Sequence, residues 1–288
     1  MLLANEWKEY ELLDAGDGEK LERWGEFTLR RPDGQAIWPQ NKLAKPSWGK
    51  VDAIYHRSST GGGNWEFRHD IPKRWIMKYK NLSFFVEPTG FKHTGLFPEQ
   101  AANWDWMMEI IKNKPKSKVL NLFAYTGAAS LACGMAGADV THVDASKGMN
   151  TWAKENWEMN LQKGATGSVR FITDDVKKFV QREIRRGNKY EGIIMDPPVY
   201  GRGPNGELWE LEKELAPLVT MCAELLSDHA LFLLVNTYTA SISHVGVSNL
   251  LQSVLPQKGE ITSGELGLLS SSGKLVLPCG IWGRWERS

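Results

Sequence analysis

The stretch VLNLFAYTG, Val119 to Gly127, decides the fold. The apolar run KVLNLF reads as a short buried strand, and Gly127 stands where that strand must turn into a helix. At such a turn the free N–H groups of a helix N-terminus face outward, so a ligand can approach only over small residues or a tight bend. The turn has no GxGxxG pattern to seat a pyrophosphate, which ranks a nicotinamide oxidoreductase last among the readings.

Downstream the same rhythm repeats. A helix is expected from Gly127 to about Met135, then strand DVTHVDA, a helix over Ser146 to Gln162, strand VRFITDD, a helix over Val176 to Arg186 and strand YEGIIMDPP. A helix from about Glu207 to Leu226, strand ALFLLVNTY and a helix around His244 to Val254 follow. Strands alternating with helix-length amphipathic segments predict a parallel sheet covered on both faces. The closing segments ITSGELGLLS and KLVLPCGIWGRW are separated only by Ser and Gly, which predicts an antiparallel hairpin rather than another crossover.

Acidic residues close three of these strands, at the edge where open α/β sheets bind ligands. Asp144, seventeen residues after Gly127, is placed to accept the two hydroxyls of a ribose. Asp175, preferred over Asp174, is placed to take an adenine amino group, with Val176 as an apolar wall. The run Asp196-Pro197-Pro198 is stiff and lacks two N–H donors, so its carbonyls can point outward. Each has a plainer alternative, because a lone aspartate after a strand is often a helix N-cap. The four motifs at four successive strand ends are hard to obtain by capping alone.

On these residues the chain resembles the class I S-adenosylmethionine-dependent methyltransferases related to bacterial large-subunit ribosomal RNA methyltransferases, in particular the group that includes the cytosine-C5 enzymes. The likeness runs from about Gly90 to the C-terminus through HTGLFPEQAAN, NLFAYTGAAS, VDAS, ITDDVKKF and DPPVYGRG. It implies a Rossmann-like α/β domain with a seven-stranded sheet and S-adenosylmethionine as cofactor. It further implies that Thr94, Phe97 and Gln100 close over the cofactor, that Phe123 and Tyr125 line it, and that Ala145 and Ser146 flank the ribose. Core packing is the alternative for Phe97, Phe123 and Tyr125.

The resemblance also poses a chemical question. Cytosine C5 is a poor nucleophile until an enzyme thiolate adds to the ring, and the related C5 enzymes carry that cysteine near the end of strand five. Here strand five, Leu231 to Ser241, has none, and neither has DPPVYGRG. Cys133 and Cys222 read as core residues in helices, and Cys279 lies in a late strand. A nitrogen or hydroxyl acceptor is therefore expected, with Asp196 and Tyr200 in the target pocket as the catalytic candidates. Pro198 joins Asp196 beside the cofactor, and loop packing is the alternative for Tyr200.

Composition bounds the rest. With 35 basic and 34 acidic residues in 288, no whole-molecule field draws the chain to nucleic acid or membrane. Three widely spaced cysteines without CxxC argue against a disulfide framework or a metal site, and fit a cytoplasmic protein. No apolar run is long enough to span a bilayer. Residues 1–88 are expected to form a small, mostly β domain, with strands YELLDAG, KLERWGEFTLRR and WEFRHDI, ahead of a catalytic domain over 89–288 that opens with a helix from about Pro98 to Lys112. Between Asn41 and Lys80 nine Lys or Arg face three Asp or Glu, interleaved with aromatics. That mixture suits phosphate contacts and base stacking, hence an RNA substrate; its alternative is a solvated face over a Trp-rich core. The basic cluster from Lys177 to Arg186 is read as ordinary solvation. The competing function classes are a protein or small-molecule methyltransferase and a non-catalytic RNA-binding module of the same fold.

Overall fold

The computed structural model describes residues 1–41, 48–58, 62–271 and 275–287. Lys42 and Lys45 of the basic segment, and Gly61 of a turn expected at 61–63, lie outside them. The chain divides into two compact units, Met1–Ala102 with Leu266–Cys279, and Asn103–Glu265 with Gly280–Ser288. The first unit thus runs past residue 88 and takes in part of the closing hairpin.

In the first unit β1 (Leu2–Leu3) pairs in parallel with Leu266 and Gly267. Strands β2 (Tyr10–Gly16), β3 (Glu19–Trp24), β4 (Phe27–Pro32), β5 (Ala53–Arg57) and β6 (Gly63–Phe67) form one five-stranded sheet in sequence order. The expected single strand over residues 20–31 is a hairpin, because Gly25 takes a left-handed φ of 67° and turns the chain. A second hairpin, β7 (Trp75–Tyr79) with β8 (Leu82–Val86), was not expected from the sequence. Leu13, Leu21, Val51 and Ile54 make the core of this unit. Beside them Glu22 is fully buried and accepts from Arg31 Nε and Nη2 at 2.7 and 2.8 Å and from the Tyr10 hydroxyl at 2.8 Å. Burial works against the Glu22 charge, but Arg31 and Lys20 outweigh it and hold the carboxyl down to about 2.

A single 3-10 turn, Pro98–Gln100, precedes α1 (Ala101–Lys112). Then β9 (Lys118–Leu122), α2 (Ala128–Met135), β10 (Asp139–Asp144), α3 (Lys147–Leu161), β11 (Ser168–Thr173), α4 (Val176–Arg186) and β12 (Gly192–Met195) alternate as expected. Ser146 caps α3 by accepting from Met149 N. A two-stranded hairpin, β13 (Tyr200–Arg202) with β14 (Leu208–Glu210), then interrupts the pattern. It shortens the next helix, expected from Glu207, to α5 (Leu211–Leu225). The chain ends with β15 (Phe232–Thr237), α6 (His244–Val254), β16 (Glu260–Leu269) and β17 (Val276–Glu286).

The hydrogen-bonded order β1-β16-β17-β15-β12-β9-β10-β11 makes one eight-stranded sheet, the seven expected strands with the short β1 added beside β16. Strand β17 runs antiparallel to β15, and β15, β12, β9, β10 and β11 are mutually parallel. One face of this sheet is sealed by α4, α5 and α6 through Phe179, Val180, Leu218, Val219 and Leu251. Each such side chain contributes about 1.5–3 kcal/mol by leaving water. The parallel strands all end at one edge, so the loops after β9, β10, β11 and β12 are neighbours.

His142, fully buried in β10, accepts from or donates to Ser130 Oγ at 2.9 Å, and burial pushes its imidazole down to about 3. Below the ordinary histidine value of about 6.5, the unfolded chain takes a proton that the folded unit refuses, so stability falls as pH falls. Between pH 7 and pH 5 we expect this residue to cost the second unit about 2 kcal/mol. Guanidinium unfolding at the two pH values checks the size, and His142→Gln should flatten the difference.

Candidate active site

The turn after β9 is wound tightly. Phe123, Tyr125 and Gly127 all have positive φ, at 56°, 51° and 91°, and the two aromatic residues hold a conformation that costs non-glycine residues energy. Gly127 is the N-cap of α2 with no side-chain cap. A Cβ there would stand 3.0 Å from Ala153 Cβ, besides being strained at that φ. Phe123 and Tyr125 are half-buried, and Phe123 packs on Trp209 with ring centroids 4.7 Å apart.

Asp144, at the end of β10, reaches across to this turn. Its Oδ2 accepts from Tyr125 N and its Oδ1 from Ser146 N, both at 2.8 Å. Burial pushes its carboxyl up, and the two amides oppose that shift. Each carboxylate oxygen can take two donors, so one place on each remains beyond these amides. A pair of vicinal hydroxyls fits that donor demand, and the chemistry of the set suits the ribose of S-adenosylmethionine. Ala145 and Ser146 follow at the head of α3, with Ser146 exposed.

Asp175 is the N-cap of α4, accepting from Lys178 N at 2.8 Å through Oδ1, so the capping alternative holds for this residue. Its Oδ2 lies 2.9 Å from where a Cβ at Gly203 would stand. Capping uses one oxygen and leaves the ligand reading untouched. Asp174 pairs with Arg182, and Val176 is buried. The basic cluster of α4 is largely neutralised, with Lys177 on Glu214 at 2.6 Å, Lys178 on Glu207 at 2.5 Å and Arg186 on Glu183 at 3.0 Å.

Asp196 is half-buried directly after β12, and Pro198 is exposed. The Pro198 carbonyl accepts from Trp209 Nε1 at 2.7 Å, and the Val199 carbonyl from Leu211 N at 3.0 Å. Tyr200 is 57 % exposed in β13, so its ring is not a packing residue of the loop. Register places Asn236 level with Asp196, one residue beyond the Met195 and Val235 partners. Asn236 accepts from Asn103 Nδ2 at 2.9 Å, and the buried Thr237 hydroxyl has no partner among the described residues. Trp209 and Thr237 were missed in the sequence.

In the first unit Thr94 is fully buried and its hydroxyl has no partner among the described residues, which is the kind of group a ligand satisfies. Gln100 is buried, and Phe97 is half-buried against His93 at 5.2 Å between ring centroids. Of the aromatics between Asn41 and Lys80, Tyr55 and Tyr79 are core residues, while Phe67 is exposed beside Trp65. All three cysteine thiols are pushed up by burial. Among the described residues no group of three His, Cys, Asp or Glu could hold a metal, and no helix is long and apolar enough to cross a membrane.

Comparison with known proteins adds an independent line. Residues 44–236 match the family described as S-adenosylmethionine-dependent methyltransferase. A crystal structure of the SAM-dependent methyltransferase from Agrobacterium tumefaciens is 37% identical, covers 98% of this chain and 91% of its own, and superposes with a TM-score of 0.91. SMU.776 complexed with SAH shares the fold at 19% identity and TM-score 0.74, over 98% of this chain and 76% of its own. The ribosomal RNA large subunit methyltransferase K/L of Shewanella frigidimarina is 33% identical over 157 residues, 54% of this chain and 21% of its own length. That of Syntrophotalea carbinolica is 24% identical over 208 residues, 69% of this chain and 28% of its own. The chain thus spans about a fifth to a quarter of the length of these curated relatives.

Proposed function

The chain belongs to the S-adenosylmethionine-dependent methyltransferases, and from that premise we propose that it methylates RNA at a nitrogen or hydroxyl, without a covalent cysteine intermediate. S-adenosylmethionine supplies an electrophilic methyl on a sulfonium, so the chain's own task is to hold cofactor and nucleophile in line. Gly127, Asp144, Ala145, Ser146, Asp175 and Val176 belong to the adenosyl side of this assignment. Phe123 and Tyr125 line the cofactor, with Asp196 and Pro198 at its reactive end. Residues 1–88 keep the role of a small β-rich domain that binds substrate or RNA.

The single observation that carries the adenosyl assignment is Asp144, aligned by two backbone amides with acceptor capacity to spare. Asp196 accepts a proton donor of the target, and the exposed Tyr200 ring stacks on the base. A nucleobase must be unpaired or flipped out to reach this edge. Burial pushes the thiols of Cys133, Cys222 and Cys279 up, away from the thiolate, which supports chemistry without one. RNA is favoured as the substrate because the Shewanella and Syntrophotalea relatives are named ribosomal RNA large subunit methyltransferases, and a cytoplasmic location fits that reading. Tritiated S-adenosylmethionine offered with protein-free large-subunit ribosomal RNA, total protein and metabolite fractions should label the RNA. Label confined to protein or metabolites would replace the RNA reading.

A further inference from the structure

We propose that Trp209 is a positioning residue for methyl transfer, clamping the Asp196-Pro197-Pro198 turn against the cofactor turn. The inference rests on the methyltransferase reading and adds a residue that no motif marks.

Three loops that follow parallel strands meet the β13–β14 hairpin. Trp209 donates its indole N–H to the Pro198 carbonyl at 2.7 Å. Its ring packs on Phe123, whose φ of 56° marks the wound turn after β9. At the tip, Lys178 of α4 pairs with Glu207, and Gly203 lies so close to Asp175 that a Cβ would come within 2.9 Å of its carboxylate. Pairing of Gly201 with Trp209 puts the indole on the inward face, opposite to the exposed Tyr200 and Leu208. The hairpin therefore couples the turn that lines the cofactor to the turn that receives the target.

Two consequences follow for the target side. One lone pair of the Pro198 carbonyl is engaged by the indole, so proton donors of the target fall to Asp196 and to the other lone pair of that carbonyl. The direction of that carbonyl pair is set by a rigid bicyclic side chain that is 8% exposed, not by solvent. In-line displacement is steep in geometry: a 1 Å misplacement costs on the order of 100-fold in rate. Loss of the indole N–H alone should therefore slow the chemical step while sparing the adenosyl side, where Asp144 and its amides are untouched.

The test separates these effects. Trp209→Phe keeps a ring on Phe123 and removes the donor; 3-benzothienylalanine at the same position keeps the bicyclic shape and replaces N–H by sulfur. Both should lower the single-turnover methyl-transfer rate on large-subunit ribosomal RNA about 10-fold. Calorimetric SAH binding should stay within about twofold, since the ribose and adenine contacts remain. Amide hydrogen exchange over residues 196–203 should rise in both variants. A benzothienyl variant at the wild-type rate, or SAH affinity falling in step with rate, would overturn the clamp. If the wild type itself transfers no methyl to RNA, the substrate reading fails, and unchanged exchange over 196–203 would then sink the clamp separately.

Discussion

Asp196→Ala is expected to lower methyl transfer about 1000-fold while SAH binding changes by no more than about threefold. The residue follows β12 directly, in the stiff turn whose next carbonyls are held by prolines and by Trp209. A nitrogen nucleophile attacks through its lone pair, so a carboxylate that accepts its N–H both aims that lone pair and stabilises the positive charge that develops on it. Such an interaction is made mainly in the transition state, which is why the loss should appear in kcat and not in cofactor affinity. Asp196→Asn keeps an acceptor oxygen without the charge and should lie between the two. The measurement is single-turnover transfer from tritiated S-adenosylmethionine, alongside calorimetry with SAH. Equal losses in transfer and SAH binding would move Asp196 from the target side to the cofactor side.

Much of the second unit was legible because its signals are local. Helices Val176–Arg186 and His244–Val254 have the expected bounds, since Asp175 and Ser243 cap them through their own side chains. Strand ends and their acids followed from short apolar runs ending in Asp. Asp144 could be placed at the end of β10, beside the turn after β9, because its position depends only on the strand-helix rhythm.

What escaped the sequence depends on distant contacts. Strand β14 was read as the start of a helix running from about Glu207 to Leu226. Asn205-Gly206, with Gly206 at φ 90°, was the turn signal that could have revealed it. Trp209 is buried by Phe123, eighty-six positions earlier in the chain, and nothing near it announces that partner. The same holds for the first unit, where Leu266–Cys279 joins residues 1–102 through pairing that no local pattern encodes. The basic segment divides between its two readings: Tyr55 and Tyr79 are core and Trp48 donates to Asp14 at 2.8 Å, while Phe67 is exposed.

Asp144→Ala should weaken SAH binding about 100-fold, close to 2.7 kcal/mol. Two losses combine. The ribose hydroxyls lose a desolvated, charged acceptor, and hydrogen bonds to charged groups are worth about 1.5–3 kcal/mol. Tyr125 N and Ser146 N also lose their acceptor, so the turn that keeps Tyr125 at φ 51° is no longer pinned. The second loss reaches the free protein, and a small drop in its melting temperature should accompany the binding defect. Asp144→Asn separates the two: one amide oxygen can still accept from Tyr125 or Ser146, but the NH2 group offers the ribose a donor where it needs an acceptor. Binding should therefore stay weak in Asp144→Asn while stability recovers in part. Wild-type affinity in Asp144→Ala would remove the ribose assignment, and with it the reading of the β9 and β10 loops as the adenosyl site.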